Sequence, residues 1–333
     1  MSLEQSAGAL TRHGNILITS HFNPDGDCIG SQLGLAALLA RLGHKVMVVD
    51  QDEVPQRYRF LPGWERIRHL GGRQKYEWMD EVIGSVDGCT AVAVLDCADM
   101  DRIGRVAELV RPAGMEIINI DHHISNTGFG QVSYVDPAAS STCELVCRLA
   151  KRLSQGLRPE EAACLLAGII TDTGGFRYSS TAPATMRMAA ELMEQGAEMA
   201  SIATKLYFEE RPEALRLLGE LLVGMKQSSR APLAWMTVSQ DQLRRHGLEM
   251  PETEEFVRYA LSVKGVEVGL MFKEQGDGRI RLSFRSKGKY DVNLLAKMFG
   301  GGGHVQAAGA RVEGSLPQVE AQVIEALEKE MRS

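Results

Sequence analysis

A chain of 333 residues, 44% hydrophobic and 24% charged, has an ordinary globular composition and more length than one hydrophobic core commonly organises, so two domains are expected. No apolar run approaches the ~20 residues that span a bilayer, no secretory apolar segment opens the chain, and the six cysteines (Cys28, Cys89, Cys97, Cys143, Cys147, Cys164) form no CxxC pair, so a cytoplasmic protein with reduced, buried thiols and no membrane partner is expected. A net charge of −6 argues against a protein that coats long duplexes, but leaves room for a small phosphorylated ligand in a local basic pocket.

The N-terminal half alternates short apolar runs with helical patterns, as a parallel sheet in an α/β domain does. Residues 16–18 read as the first buried strand, 30–42 as a helix, and 45–49 as the second strand. Residues 91–95 and 117–120 supply two more strands. Helices are expected over 142–153 and over 159–170, the latter opened by a proline followed by two glutamates. Residues 183–226 are helical in pattern, with Pro212 as the clearest interruption, and read as a helical linker. Strand signals return at 233–238, 266–272 and 279–284, the last two separated by a turn at Gly276-Asp277-Gly278. The expected fold is therefore an α/β N-terminal domain over 1–189, a helical linker over 190–227, and a smaller α+β domain over 228–333. The opening Met1-Ser2-Leu3 is given no weight.

Polar residues recur where the N-terminal strands end. The first strand runs into His21-Phe22-Asn23-Pro24-Asp25-Gly26-Asp27, the strand ending at Leu95 into Asp96, and the strand ending at Ile120 into Asp121-His122-His123. In open α/β sheets the carboxyl ends of the strands face one crevice, so these residues should converge. A single Asp after a strand is usually a turn former or helix cap; several at adjacent strand ends are hard to assign to capping. Packed carboxylates raise one another's pKa unless cations neutralise them, and a mixed carboxylate and imidazole set suits Mn²⁺, Mg²⁺ or Zn²⁺, with Mn²⁺ favoured. Gly26 reads as a tight turn that lets Asp25 and Asp27 approach one centre. Gly30 and Ser31 read as the opening of the next helix, whose N–H groups would face an anion. Asp172, at the end of an apolar helix and before Thr173-Gly174-Gly175, would by itself be a helix-end turn residue. Neither a GxGxxG dinucleotide fingerprint nor a Walker A motif follows the first strand.

With those residues in place, the chain resembles the DHH phosphoesterase superfamily. The matching segments are HFNPDGDCIGS (21–31), LDCAD (95–99), DHH (121–123) and TDTGGFRYSST (171–181), in that order. GGGGHVQAAGA (300–310) resembles the closing motif of the DHHA1 domain carried by one branch. Each short motif is weak; five in order over nearly the whole chain are specific. Within the superfamily the pattern looks most like the nanoRNase and pAp-phosphatase type, which degrades very short oligonucleotides from an end and removes a phosphate from 3′-phosphoadenosine 5′-phosphate. The resemblance implies two Mn²⁺ ions, with Mg²⁺ or another divalent ion as an alternative. One would be held by His21, Asp25, Asp96 and Asp172, the other by Asp27, Asp96, His122 and Asp172, so that Asp96 and Asp172 bridge. His123 would contact the reacting phosphate and Asp121 would orient the histidines. Cys28 fills a slot where a small residue such as Ala is expected, and is not expected to disturb metal binding.

In the second domain Ile280, Leu282 and Phe284 should face a core, with Arg279, Arg281, Ser283 and Arg285 on the other side. Residues 271–290 carry six Lys or Arg against two acids. A solvated basic face explains Arg279 and Arg281 as well as a ligand would, whereas the resemblance assigns Arg285 to a phosphate. By the same resemblance Gly302, Gly303 and His304 would bind the nucleotide end of the substrate across an inter-domain cleft; a flexible loop is the plainer reading of the glycines. Expected partners are short single-stranded oligonucleotides or small nucleotides, no long duplex, and a second copy of the chain, since family members often dimerise. Rival readings are a phosphodiesterase of linear or cyclic dinucleotides, a manganese pyrophosphatase or exopolyphosphatase, and a non-catalytic nucleotide-binding protein.

Overall fold

The computed structural model describes residues 2–71, 84, 86, 88–153 and 155–332. They form two compact units, 1–209 and 210–333. Among the described residues no helix is long and apolar enough to cross a membrane.

The first unit is a six-stranded parallel sheet. Its strands are β1 (Asn15–Thr19), β2 (Lys45–Asp50), β3 (Ile67–His69), β4 (Ala91–Leu95), β5 (Glu116–Asp121) and β6 (Val132–Val135). Their spatial order is β3-β2-β1-β4-β5-β6, and every pairing is parallel. The order reverses between β1 and β4, which makes the space beyond their carboxyl ends the topological switch point where open α/β sheets bind ligands. Both faces are covered, so the central strands read as unbroken apolar runs: Ile16–Ile18 and all of Ala91–Leu95 are fully buried. One face packs on helices α1 (Leu3–Arg12), α2 (Gly26–Arg41), α4 (Thr142–Arg152) and α5 (Pro159–Asp172); the other takes Val106, Ala107 and Val110 of α3 (Val106–Ala113). Helices α6 (Pro183–Glu194) and α7 (Met199–Tyr207) complete this unit.

Three sequence expectations change here. Ser2 is the N-cap of α1, in a capping box with Gln5, so the first residues are structural. Helix α2 begins at Gly26, not Gly30, because the Asp25 side chain caps it by accepting the N–H groups of Asp27 and Cys28. Gly26, Gly30 and Gly34 are there for close packing: a Cβ on each would lie 2.4 Å from Thr171 Oγ1, 2.4 Å from the Cys164 carbonyl and 2.6 Å from Leu165 Cδ2. Gly26 therefore makes no tight turn, and Gly30 and Ser31 lie a turn inside the helix. The three glycines, one helical turn apart, let α2 and α5 lie antiparallel in near contact, which sets the first turn of α2 beside the last turn of α5.

The second unit holds a mixed sheet of order β11-β12-β10-β9-β8-β7. Its strands are β7 (Lys226–Gln227), β8 (Leu233–Val238), β9 (Val268–Glu274), β10 (Arg279–Ser286), β11 (Gly302–Gly303) and β12 (Ala307–Glu313). Only β8 and β9 pair in parallel; the other pairings are antiparallel. As expected, Ile280, Leu282 and Phe284 are buried, under Val292 and Leu295 of α11 (Val292–Lys297) and Val319, Val323 and Leu327 of α12 (Leu316–Glu330). The opposite face, with Ala234, Met236 and Met271, packs on α8 (Pro212–Val223), α9 (Gln240–His246) and α10 (Val257–Leu261). Pro212 opens α8 at its first position, where a missing N–H costs nothing.

Candidate metal centre

The residues expected at the strand ends of the first unit do converge. Asp96 sits at the centre, directly after β4, with a backbone φ of +52°. That left-handed turn is tolerated by aspartate better than by most residues and is the kind of local strain that marks functional positions. The two carboxylate oxygens of Asp96 look in different directions. Oδ2 lies 3.7 Å from His21 Nε2 and 3.2 Å from Cys28 Sγ. Oδ1 lies 3.5 Å from His122 Nε2 and accepts the Thr142 hydroxyl at 3.0 Å. Donor atoms of His21, Asp25, Cys28 and Asp96 all fall within 4.8 Å of one another, as do those of Asp27, His122 and Asp172. His122 Nε2 is 3.7 Å from Asp27 Oδ2 and 3.3 Å from Asp172 Oδ2. Asp172 is the last residue of α5, at the negative end of the helix dipole, where a carboxylate is disfavoured unless a cation offsets it.

The imidazoles are held in one tautomer. His21 Nδ1 lies 2.8 Å from the Phe22 carbonyl and His122 Nδ1 3.3 Å from the Ala139 carbonyl. A carbonyl only accepts, so each Nδ1 carries a hydrogen and each Nε2 faces the carboxylates, free to ligate once unprotonated, the arrangement of metal-binding histidines. His123 Nδ1 donates to Asp121 Oδ1 at 2.7 Å. Asp121, fully buried, also accepts the His122 backbone N–H at 2.9 Å and the Asn126 amide at 2.6 Å, which fixes its orientation.

Electrostatics shows what the cluster lacks. Burial, with Asp96 and Asp172 nearby, pushes the Asp27 carboxyl well above the ordinary carboxylate range. Burial, and the proximity of Asp25 and Asp96, lifts Asp172 to about 7 against the opposing pull of His122. Burial opposes a charged His122, but Asp172, Asp96 and Asp27 outweigh it and raise its pKa well above the usual imidazole value. Apart from the histidines, the groups that act most on Asp27 and Asp172 are other carboxylates. A set of carboxylate oxygens and Nε2 atoms with excess negative charge, mostly buried and pre-oriented, fits divalent cations.

Some contributors give little sign in the sequence. The N-terminus of α4 donates both Thr142 N–H and Cys143 N–H to Asp27, at 2.6 and 2.9 Å, so the helix-terminal anion site predicted for α2 belongs to α4 and holds a carboxylate. Ser141-Thr142 before Glu144 was the readable signal, since Ser141 caps that helix. Asn126, five residues beyond Asp121, had none. Asp50, at the end of β2, is buried and accepts the Ser20 N–H and the Gln32 amide at 3.1 and 2.6 Å; it braces the loop after β1.

The remaining expected site residues lie in the second unit, at one end of its sheet. Arg285 is in register with Ala307, and the His304 N–H donates to the Ala307 carbonyl at 2.7 Å. Gly302 and Gly303 pair with Gly309 and Ala308. The glycines are not a loose loop: a Cβ on Gly301 would lie 2.1 Å from the Gly309 carbonyl, and one on Gly303 2.5 Å from that of Ala307. Nor is the basic side of β10 simply solvated. Glu254 pairs with the buried Lys273 at 2.9 Å and with Arg281 at 3.1 Å, while exposed Arg279 is held by Asp277 at 2.8 Å.

Comparison with known proteins gives the same two-part division. The DHH family N-terminal domain matches residues 15–169, and the DHHA1 domain matches residues 234–333. The bifunctional oligoribonuclease and PAP phosphatase NrnA of Thermus thermophilus is 35% identical, over 96% of this chain and 90% of the relative; its Bacillus subtilis counterpart is 28% identical over 91% of each. An exopolyphosphatase-related protein from Bacteroides fragilis superposes with a TM-score of 0.90 at 29% identity, covering 99% of this chain and 97% of that one. RecJ of Thermus thermophilus, crystallised with Mn²⁺, has a TM-score of 0.57 at 14% identity and covers 98% of this chain and 55% of its own, a likeness of fold.

Proposed function

The chain belongs to the DHH family, in the form that carries a DHHA1 domain, and is a hydrolase of phosphoester bonds; from that premise we propose that it hydrolyses short oligonucleotides from an end and dephosphorylates 3′-phosphoadenosine 5′-phosphate. Relatives named for both activities align along nearly the whole chain, which supports this reading over cleavage of cyclic dinucleotides or pyrophosphate. In functional terms residues 1–189 carry catalysis, 190–227 connect, and 228–333 hold the substrate.

The observation that carries the dinuclear reading is the divided carboxylate of Asp96, each of whose oxygens faces a different donor group. His21, Asp25 and Asp96 would hold one Mn²⁺, and Asp27, Asp96 and His122 the other, with Asp172 completing both. Bound there, the ions supply Lewis acidity, activating water and neutralising charge on the phosphate during an in-line displacement. The chain's own residues do the rest. Asp121 and Asn126 fix the ring of His123, which as an imidazolium would donate from Nε2 to a phosphate oxygen as charge grows on it. In the second unit Arg285 would grip a phosphate of the substrate, and the Cβ-free backbone of Gly302 and Gly303, with His304, would admit the terminal nucleotide. The test is a panel of pAp, labelled di- to pentanucleotides, cyclic dinucleotides and pyrophosphate, assayed with Mn²⁺ and after chelation. Metal-dependent release from pAp and short RNA is expected; full activity after chelation, or cleavage of pyrophosphate alone, overturns the reading.

A further inference from the structure

Cys28 is the feature that the resemblance leaves unexplained. It lies in the first turn of α2, one residue after Asp27 and three after the capping Asp25. Its side chain is fully buried and points into the cluster: Sγ is 3.2 Å from Asp96 Oδ2, the same oxygen that faces His21 Nε2 at 3.7 Å. Donor atoms of His21, Asp25, Cys28 and Asp96 lie within 4.8 Å of one another. These are four donors of three kinds (one imidazole nitrogen, one sulfur and two carboxylate oxygens) gathered around one point. The helical position enforces this, since the backbone N–H of Cys28 is itself anchored on Asp25 Oδ1 at 3.1 Å.

We propose that Cys28 is a metal ligand at the His21–Asp25–Asp96 position, and that its sulfur turns this half of the centre towards thiophilic divalent ions such as Zn²⁺, Co²⁺ and Cd²⁺. The inference rests on the dinuclear reading above. Oxygen donors alone favour hard cations, whereas a thiolate among them selects softer ones. On binding, the thiol proton leaves to solvent and sulfur donates as thiolate. The other half, built from Asp27, His122 and Asp172, has no sulfur among its donors, so the two positions would differ in the ion they prefer.

Cobalt reports both questions at once. Chelated full-length protein is titrated with Co²⁺ and followed by absorption: visible d–d bands report occupancy, and an intense near-ultraviolet band reports sulfur-to-cobalt charge transfer. The wild type is expected to show both. Cys28→Ala and Cys28→Ser should lose the charge-transfer band and keep the d–d bands, and Cys143→Ala should keep both. Cd²⁺ affinity should fall about tenfold or more in Cys28→Ala, while Mn²⁺ affinity stays within about threefold. Wild-type d–d bands without charge transfer, or charge transfer that survives Cys28→Ala, overturns the ligand assignment alone. No cobalt spectrum in the wild type overturns the metal centre with it.

Discussion

Both units bury charge, and they neutralise it in opposite ways. In the second unit, Glu254 stands between Lys273 and Arg281. Burial alone would raise its pKa, but the two cations hold the carboxyl at about 2, while burial draws Lys273 down to about 8. Here the chain's own cations answer the carboxylate, two against one. In the first unit, Asp25, Asp27, Asp96, Asp121 and Asp172 meet three imidazoles, and what acts most on Asp27 and Asp172 is burial, neighbouring carboxylates and histidine. Backbone N–H groups and hydroxyls orient these carboxylates without neutralising them. A buried carboxylate answered by the chain's own cations serves the fold; carboxylates crowded on one another are built to receive a cation from outside.

The comparison predicts different failures. Asp96→Asn keeps the shape of the centre but removes the charge shared by both donor groups; turnover of pAp and short RNA should drop by about 10³-fold, with the circular dichroism spectrum intact. If that variant remained active, the crowding of carboxylates would have no catalytic meaning. Glu254→Ala should do the reverse. It strands Lys273 in the interior beside Arg281, and urea denaturation should report a loss of about 3 kcal/mol, while the Mn²⁺ affinity of the folded protein is unchanged. Loss of metal binding there would mean that the two clusters are not separate in kind.

Subtler changes sharpen the contrast. Asn126→Ala leaves every donor in place but frees Asp121 to rotate, and metal affinity measured by calorimetry should weaken by about 10- to 100-fold. A change of pH leaves every residue in place. Without metal, Asp172 titrates at about 7 and His122 above its usual value; both must lose their protons to coordinate. Below pH 7, where both carry protons, affinity for Mn²⁺ should fall by up to about a hundredfold per unit; between pH 7 and His122's pKa it should change by about tenfold per unit and level off above, with proton release on binding. Calorimetry in buffers of different ionisation enthalpy would count those protons. A pH-independent affinity would show that the carboxylates are already ionised without metal.

Much of the catalytic half was legible in the chain, because parallel strands buried on both faces announce themselves as apolar runs and because Asp and His at their carboxyl ends have one crevice to share. His21, Asp96, Asp121, His122 and His123 could be placed that way. Asp172 could not, since the end of an apolar helix carries no signal of what stands opposite; the resemblance supplied it, and the structure puts it beside Asp27 and His122. Gly26 and Gly30 were visible but misread. Gly26 suits a tight turn and Gly30 an anion site until α5 is known to lie against them. The strands β3, β6 and β12 escaped notice for want of length or alternation, and Asn126 because a side-chain hydrogen bond leaves no trace in spacing.

By itself the sequence determined the elements that local pattern controls: the alternation of strand and helix, the strand ends where the acidic and histidine residues lie, the paired faces of β10, and the family. Tertiary structure alone decided which of those residues meet. The two directions of the Asp96 carboxylate, the capture of Asp27 by the N-terminus of α4, the entry of Cys28 into the donor set and the pairing of Lys273 with Glu254 all depend on distances of a few ångströms between segments remote in sequence. Hydrophobic periodicity is a property of neighbours along the chain, whereas coordination and ion pairing are properties of neighbours in space, and only packing converts one into the other.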